Sequence, residues 1–183
     1  GPSDAAYKGF AMGTGEIFAW LNADDIYYPG AIRAAVEYLE AHPEIDVVYG
    51  DGNWIDDDGS VISAYPTLDF DASVLQRDCF ICQPSAFMRA SAYRKCSLDP
   101  DWNFSFDYDL WIRMAKAGFR FQRIPGMFSG SRLHRGSLTI GRSVTQVRHP
   151  TSTNLRSANT DTRLHRRQQA PPRPADLSPA PPW

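Results

Sequence analysis

The chain has 183 residues, 43% of them hydrophobic, and a formal net charge of −2 from 19 Lys+Arg and 21 Asp+Glu. This composition suits one domain of moderate size. The sequence has neither an apolar run of about 18–20 residues, which could cross a bilayer, nor a signal-peptide pattern at its start. A pI of about 6.1 argues against nucleic-acid binding by the folded part, and three cysteines are too few for a disulfide scaffold, which favours a reducing, cytoplasmic location.

Charge and proline divide the chain near residue 141. Residues 142–183 hold seven Arg, two Asp and half of the 14 prolines, and they carry a net charge of +5. The remaining residues carry a net charge of −7. This division predicts a partial globular domain over residues 1–141 and a disordered Arg/Pro-rich tail over residues 142–183.

Hydrophobic periodicity predicts alternating helices and strands. The second helix, opened by Pro29, has an apolar stripe of Ile32, Ala35, Val36 and Leu39. The turn signal Asp57-Asp58-Gly59 predicts a hairpin. In chain order the predicted elements are helix 5–12, strand 16–21, helix 29–41, strand 45–49, the hairpin, helix 69–76, strand 79–88, helix 107–118 and strand 119–124. Short loops between such elements indicate a layered α/β domain.

An acidic loop ends the first predicted strand at Asn22-Ala23-Asp24-Asp25. Ligands of open α/β sheets bind beyond the carboxyl ends of the strands, and adjacent carboxylates favour a hard cation such as Mg²⁺ or Mn²⁺. The alternative for Asp25 is that it caps the helix opened by Pro29.

Two other patterns are interpreted as structural. Cys79 and Cys82 have C-x-x-C spacing without a second ligand pair, so two small buried side chains are expected rather than a zinc site. The Asp56-Asp57-Asp58-Gly59 run lacks the rest of a calcium loop and is expected to form the hairpin turn.

Several motifs together carry a resemblance. They are Gly1-x-Ser3-Asp4-Ala5-x-x-Lys8-Gly9-Phe10, Thr14-Gly15-Glu16-Ile17, Trp20-Leu21-Asn22-Ala23-Asp24-Asp25, Tyr49-Gly50-Asp51, Cys82-Gln83-Pro84-Ser85, Asp107-Tyr108-Asp109-Leu110-Trp111 and Arg132-Leu133-His134. In order and spacing across residues 1–137 they resemble the family 2 glycosyltransferases. The resemblance implies a GT-A-like three-layer α/β sandwich with a mixed, mostly parallel sheet that is incomplete at the N-terminus.

The resemblance also implies an activity, namely inverting transfer of a sugar from a nucleotide diphosphate to an acceptor hydroxyl. The family's D-x-D motif corresponds to Asn22-Ala23-Asp24, so Asp24 would hold Mn²⁺ or Mg²⁺ against the donor diphosphate. Because Asn22 brings no charge, Asp25 is a second candidate ligand. His134 is a third, with an ordinary partly buried histidine as the alternative.

The family's catalytic base lies in a Glu-Asp pair at a helix start, which corresponds to Phe106-Asp107. Asp107 is therefore the candidate base, and its alternative is a helix cap. Asp4 and Lys8 match the segment that flanks the donor nucleotide, although a lysine on a helix surface is usually just solvated.

The implied partners are a UDP-, GDP- or dTDP-linked sugar and a glycan or lipid-linked acceptor, in polysaccharide or cell-surface glycan synthesis. Peripheral association with the inner face of the membrane is compatible with such an acceptor, and nucleic acid is not an expected partner. Two alternatives stay open: a sugar-phosphate nucleotidyltransferase, and a degenerate nucleotide- or carbohydrate-binding remnant in which Asn22 and Phe106 are signs of decay. Without the family's first βαβ segment, we expect the isolated chain to be marginally stable and weakly active.

Overall fold

A computed structural model describes residues 1–102 and 104–133. His134 and the predicted tail lie outside these residues, so the predictions about them stay predictions. In chain order the elements are α1 (Pro2–Met12), β1 (Ile17–Phe18), β2 (Ile26–Tyr27), α2 (Ala31–Ala41), β3 (Val47–Ile55), β4 (Val61–Ala64), α3 (Ala72–Leu75), a 3₁₀ turn (Gln83–Ser85), β5 (Ala86–Arg89), α4 (Ala90–Lys95), α5 (Phe106–Lys116) and β6 (Phe121–Arg132).

A six-stranded sheet forms the middle layer, with strand order β1-β5-β3-β6-β2 and β4 paired to β3. β3 is the central strand: its first half pairs with β5, its second half pairs with β4, and β6 runs along its other side. The mixed sheet of the predicted fold is confirmed. The proportion of parallel pairing is corrected, because β3–β6 is parallel whereas the other four described pairings are antiparallel.

Helices cover both faces of the sheet. Alternate residues of β3 point to opposite faces, as the strand period requires. Tyr49 belongs to the buried cluster that includes residues of α1, α4 and α5, whereas Val48 belongs to the cluster that includes Ala35 and Leu39 of α2. The predicted three-layer α/β arrangement is therefore confirmed. No helix in residues 1–102 or 104–133 is long and apolar enough to span a bilayer.

Helix α2 differs from its prediction in which residues it buries. It begins at Ala31, after Gly30 in a left-handed conformation (φ 89°), rather than at Pro29. Ala31, Ala35 and Leu39 form its buried stripe, and Ile32, predicted to be buried, is 53% exposed. The helix starts one residue before Ile32 and turns its i, i+4, i+8 positions to the sheet, so Ile32 lies on the outer side.

Candidate active site

The acidic loop after β1 is held in place by Gln83 of the 3₁₀ turn. The Gln83 side-chain amide donates to the carbonyl of Trp20 at 2.8 Å, and its oxygen accepts from Asn22 Nδ2 at 2.9 Å. Asn22 Nδ2 also donates to Asp25 Oδ2 at 2.9 Å. Because Gln83 is almost fully buried, these bonds tie the loop to the adjacent end of the sheet.

The Asp25 carboxylate is buried and hydrogen-bonded. Its Oδ1 accepts from the backbone N–H of Arg132 at 2.8 Å, while Oδ2 accepts from Asn22. Burial raises the pKa of Asp25, and the hydrogen bonds from the Arg132 backbone and from Asn22 oppose that shift. The alternative that Asp25 caps α2 is wrong, because the residue at that cap is Gly30.

Asp24 is half-buried at the outer end of the same loop. Its backbone carbonyl accepts from Arg132 Nε at 2.8 Å, so its backbone is fixed from the far end of β6. Asn22, on the other side of the loop, is exposed. The motif positions 22 and 24 therefore lie at the surface, on a backbone secured from two sides.

The carboxylates at this loop fit a cation site whose remaining ligands are substrate phosphates and waters. No group of three or more His, Cys, Asp or Glu side chains that could hold a metal occurs in residues 1–102 and 104–133. Mg²⁺ and Mn²⁺ do not need such a cage, because one or two carboxylates with substrate phosphates and waters complete their shell. Asp24 suits that arrangement, whereas both oxygens of Asp25 already accept protein hydrogen bonds.

Asp107 lies in the first turn of α5, two residues after Ser105, which has a left-handed backbone (φ 48°). Burial raises the pKa of Asp107, and hydrogen bonds from its own N–H and that of Tyr108 oppose the shift. The N-cap position itself is Ser105. The Asp107 carboxylate nevertheless accepts hydrogen bonds from backbone N–H groups at the helix start, as the capping alternative expects. These hydrogen bonds do not conflict with a role as base.

Aromatic stacking brings the acidic loop close to the helix that bears Asp107. Trp20, just before the loop, stacks on Phe106 with ring centroids 6.1 Å apart and on Trp111 at 5.8 Å. Phe106 immediately precedes Asp107 in α5. The loop and the start of α5 therefore lie on the same side of the sheet.

Asp4 and Lys8 form a pair with each other on α1. Lys8 Nζ lies 2.8 Å from Asp4 Oδ2, and both side chains are exposed. The Lys8 hydrogen bond lowers the pKa of Asp4. The same helix reaches the site region through Phe10, which contacts Trp20 edge-on at 5.6 Å, but the predicted contact of Asp4 and Lys8 with a donor stays a prediction.

The structural interpretation of the Asp56–Gly59 run agrees with the structure. Ser60 N–H donates to Asp56 Oδ1 at 2.8 Å and to Asp58 Oδ1 at 2.9 Å, which closes the turn between β3 and β4. Cys79 and Cys82 are both free thiols, and burial raises the pKa of each to about 12. The prediction of two small buried side chains is confirmed for Cys82, whereas Cys79 is partly buried, and both precede β5 rather than lying on a strand.

Two residues of the site were not predicted individually, Gln83 and Arg132. Both stand in motifs that carried the resemblance, which was the available signal, but their hydrogen bonds cross 61 to 108 positions of sequence. A cavity of about 60 Å³ between α3 and α5 is lined by Ala72, Leu75, Gln76, Ile112, Ala115 and Lys116. It contains none of the candidate residues.

In a layered α/β domain, an acidic loop beyond the end of a strand lies where such folds bind their ligands. The sequence model of glycosyl transferase family 2 matches residues 1–97, and the chain belongs to that family. The predicted family is thus confirmed.

Two curated relatives are named as glycosyltransferases. An uncharacterized one from Methanocaldococcus jannaschii is 25% identical over 121 residues, which are 64% of this chain and 42% of that protein. EpsE of Bacillus subtilis is 31% identical over 113 residues, which are 58% of this chain and 40% of that protein. The matched region thus spans about two fifths of each relative's length.

Solved structures of S. aureus TarS share the fold. The structure of its residues 1–349 matches with a TM-score of 0.55 at 10% identity, over 72% of this chain and 40% of that one. The same fragment in complex with UDP matches with a TM-score of 0.53 at 12% identity, over 73% of this chain and 40% of that one. At such identities the likeness concerns the fold alone, and it supports the predicted GT-A-like architecture.

Proposed function

We propose that the protein transfers a sugar, with inversion, from a nucleotide diphosphate donor to an acceptor hydroxyl in polysaccharide or cell-surface glycan synthesis. Family membership supports the reaction class. The observation that carries the assignment to residues is the Trp20–Phe106 stacking. It places the loop of Asn22 and Asp24 beside the helix start that bears Asp107.

Asp107 takes the proton of the acceptor hydroxyl in this reaction. As the acceptor oxygen bonds to the anomeric carbon from one face, the bond to the diphosphate oxygen breaks on the other face, and the nucleoside diphosphate leaves. The raised pKa of Asp107 suits a base, because a more basic carboxylate accepts a proton more readily.

Asp24 binds Mn²⁺ or Mg²⁺ in this proposal, with Asp25 and His134 as the other predicted ligands. When bound, the cation neutralises charge on the departing diphosphate. Asn22 and Gln83 keep the Asp24 loop in place, and Asp4 and Lys8 flank the donor. UDP is the first nucleotide to test, since one structure with the same fold was solved in complex with UDP. GDP and dTDP follow.

The acceptor is proposed to be a glycan or a lipid-linked glycan, and the location is the cytoplasm, including the inner face of the membrane. Transfer by the full-length protein to membrane-extracted lipid-linked acceptors, compared with soluble oligosaccharides, tests this part.

Calorimetry of UDP, GDP and dTDP binding with and without Mn²⁺, on the full-length protein, tests the donor site. Metal-dependent binding should be lost in Asp24→Ala and kept in Asp107→Asn, whereas transfer should be lost in both. Glu37→Ala, which removes an exposed carboxylate from α2 on the opposite face of the sheet, is the matched control. Metal-dependent binding that survives in Asp24→Ala would overturn the metal assignment, and transfer that survives in Asp107→Asn would overturn the role of Asp107 as base. Donor binding without any transfer by the unsubstituted protein would favour a non-catalytic remnant.

A further inference from the structure

Arg132, the last residue of β6, joins two loops at one end of the sheet. Its Nε donates to the carbonyl of Asp24 at 2.8 Å, and its NH1 donates to the carbonyl of Asp56 in the β3–β4 turn. Its backbone N–H donates to Asp25 Oδ1 at 2.8 Å. One residue therefore fixes the acidic loop through both of its aspartates.

The strand behind Arg132 gives this contact a rigid base. The next residue, Leu133, donates its N–H to the carbonyl of Ile55 at 2.9 Å, which extends the β3–β6 pairing to the turn. Gly130 pairs with Ile26 of β2 on the other side. Arg132 thus holds the short loop before β2 in a fixed position relative to the paired strands β3 and β6.

Arg123, on the same strand, has a different kind of hydrogen-bond partner from Arg132. It pairs with the carboxylates of Asp51 at 2.7 Å and Asp69 at 3.2 Å, whereas the guanidinium of Arg132 donates to backbone carbonyls. A guanidinium presents its donors in a fixed fork, so two carbonyls from different loops are held at one spacing. A contact of this kind sets backbone position, although the charge of Arg132 also helps to lower the pKa of Asp58 in the turn.

We infer that Arg132 is a positioning residue that holds the backbone of Asp24 so that its carboxylate stays in place for the donor's cation. The inference about the cation rests on the proposed function, but the restraint on the loop does not. Loss of the guanidinium should loosen residues 22–26 and weaken metal use, while Asp24 itself is unchanged. Residues that orient a metal ligand typically contribute about 10–100-fold to metal affinity or activity.

Arg132→Gln, Arg132→Lys and Arg123→Gln in the full-length protein test the inference. In Arg132→Gln we expect amide hydrogen exchange in residues 22–26 to speed up at least about tenfold, and the Mn²⁺ concentration for half-maximal activity to rise about tenfold. The kcat at saturating Mn²⁺ should fall less. Arg132→Lys keeps a donor without the fork and should be intermediate. Arg123→Gln removes an arginine from the same strand and should change neither measurement.

The two readouts separate the inference from the proposed function. Faster exchange confined to residues 22–26, in a protein without metal-dependent activity, would support the restraint and count against the proposed reaction. Unchanged exchange in Arg132→Gln, or an equal change in Arg123→Gln, would overturn the inference whatever the activity. If Arg132→Gln does not fold, the same comparison is made between Arg132→Lys and Arg123→Gln.

Discussion

Two residues that depart from the family pattern have clear structural roles. Asn22 stands where the D-x-D motif has its first aspartate, and its side-chain amide donates to both Asp25 and Gln83. A carboxylate cannot donate these bonds and would repel the buried Asp25. Phe106, which the predicted correspondence places at an acidic position of the family, stacks on Trp20. Neither substitution therefore requires decay of the site to explain it.

The raised pKa of Asp107 leads to a prediction about pH. If Asp107 is the base, the acidic limb of the kcat/KM profile should lie above pH 3.8, the ordinary value for an aspartate, because activity needs the carboxylate ionised. A pH series of transfer rates checks this. Asp109→Asn is the control, because Asp109 also lies in the first turn of α5 but pairs with Arg113 at 2.7 Å. It should leave the limb in place.

The raised pKa of Asp107 should also make the free energy of unfolding depend on pH in a definite direction. The folded state holds the Asp107 proton more tightly than the unfolded state does, so the protein loses stability as the pH rises from about 3.8 through the raised pKa. Asp107→Asn should lack this part of the loss in urea unfolding between those pH values. Equal pH slopes in the wild type and the variant would contradict the raised pKa.

The central strand β3 depends on close packing around its glycines. A Cβ at Gly50 would overlap the ring of Phe128, and one at Gly52 would lie 2.6 Å from the Cys82 sulfur. The absence of a side chain lets the Phe128 ring lie directly over β3 and lets the segment with Cys82 and Gln83 approach it. Gly52 thus allows the segment that carries Gln83 to lie close to the sheet, whereas Gly50 makes room for the Phe128 ring.

Gly50→Ala should therefore destabilise the protein by about 1–3 kcal/mol, since overpacking forces the buried Phe128 ring or the strand to move. Gly9→Ala is the matched control. Gly9 lies within α1, with no atom within 4 Å of a built Cβ, and alanine there should stabilise the protein by up to about 1 kcal/mol through helix propensity. Chemical unfolding of both variants is the measurement. Equal effects of the two changes would contradict the packing around β3.

The elements that the sequence predicted well are those with strong local signals. Helices α1, α2 and α5, the β3–β4 turn and the strand through Val47–Tyr49 follow from periodicity, glycine and proline. Strand β1 is only two residues long, because its chain leaves the sheet after Phe18, and the Trp20 carbonyl instead accepts a bond from Gln83. The predicted strand 79–88 is strand only from Ala86, after a 3₁₀ turn opened by Pro84.

The residues of the site can be separated in the same way, into those with a local sequence signal and those without one. The acidic loop and the helix start of Asp107 were recognisable because each is a continuous run of residues. The roles of Gln83 and Arg132 were not, because each follows from hydrogen bonds between distant segments that only the folded chain brings together. Strand β2 and helix α4 were also missed, since two or six residues give no periodic pattern.

At the scale of the whole molecule, Trp20 connects the chain after β1 to two helices on one face of the sheet. Its ring contacts Phe10 of α1 at 5.6 Å, Phe106 of α5 at 6.1 Å and Trp111 of the same helix at 5.8 Å. The loop that carries Asp24 begins two residues later. Aromatic packing at Trp20 therefore helps to set the distance between the candidate metal ligand and the candidate base, together with the hydrogen bonds of Gln83 and Arg132 to the loop.

A double-mutant cycle of Trp20→Leu and Phe106→Leu tests this connection. Aromatic pairs of this geometry contribute about 0.5–1.5 kcal/mol beyond burial, so the two changes should be non-additive in urea unfolding by about that amount. Trp20→Leu with Tyr38→Leu is the control, because Tyr38 lies on α2, which packs on the opposite face of the sheet, and that pair should be additive. Additivity of Trp20 with Phe106 would mean that the two segments do not meet as described. Coupling would support a site whose two carboxylates are positioned by one aromatic cluster, and transfer should then fall more steeply in Trp20→Leu than in Tyr38→Leu at equal loss of stability.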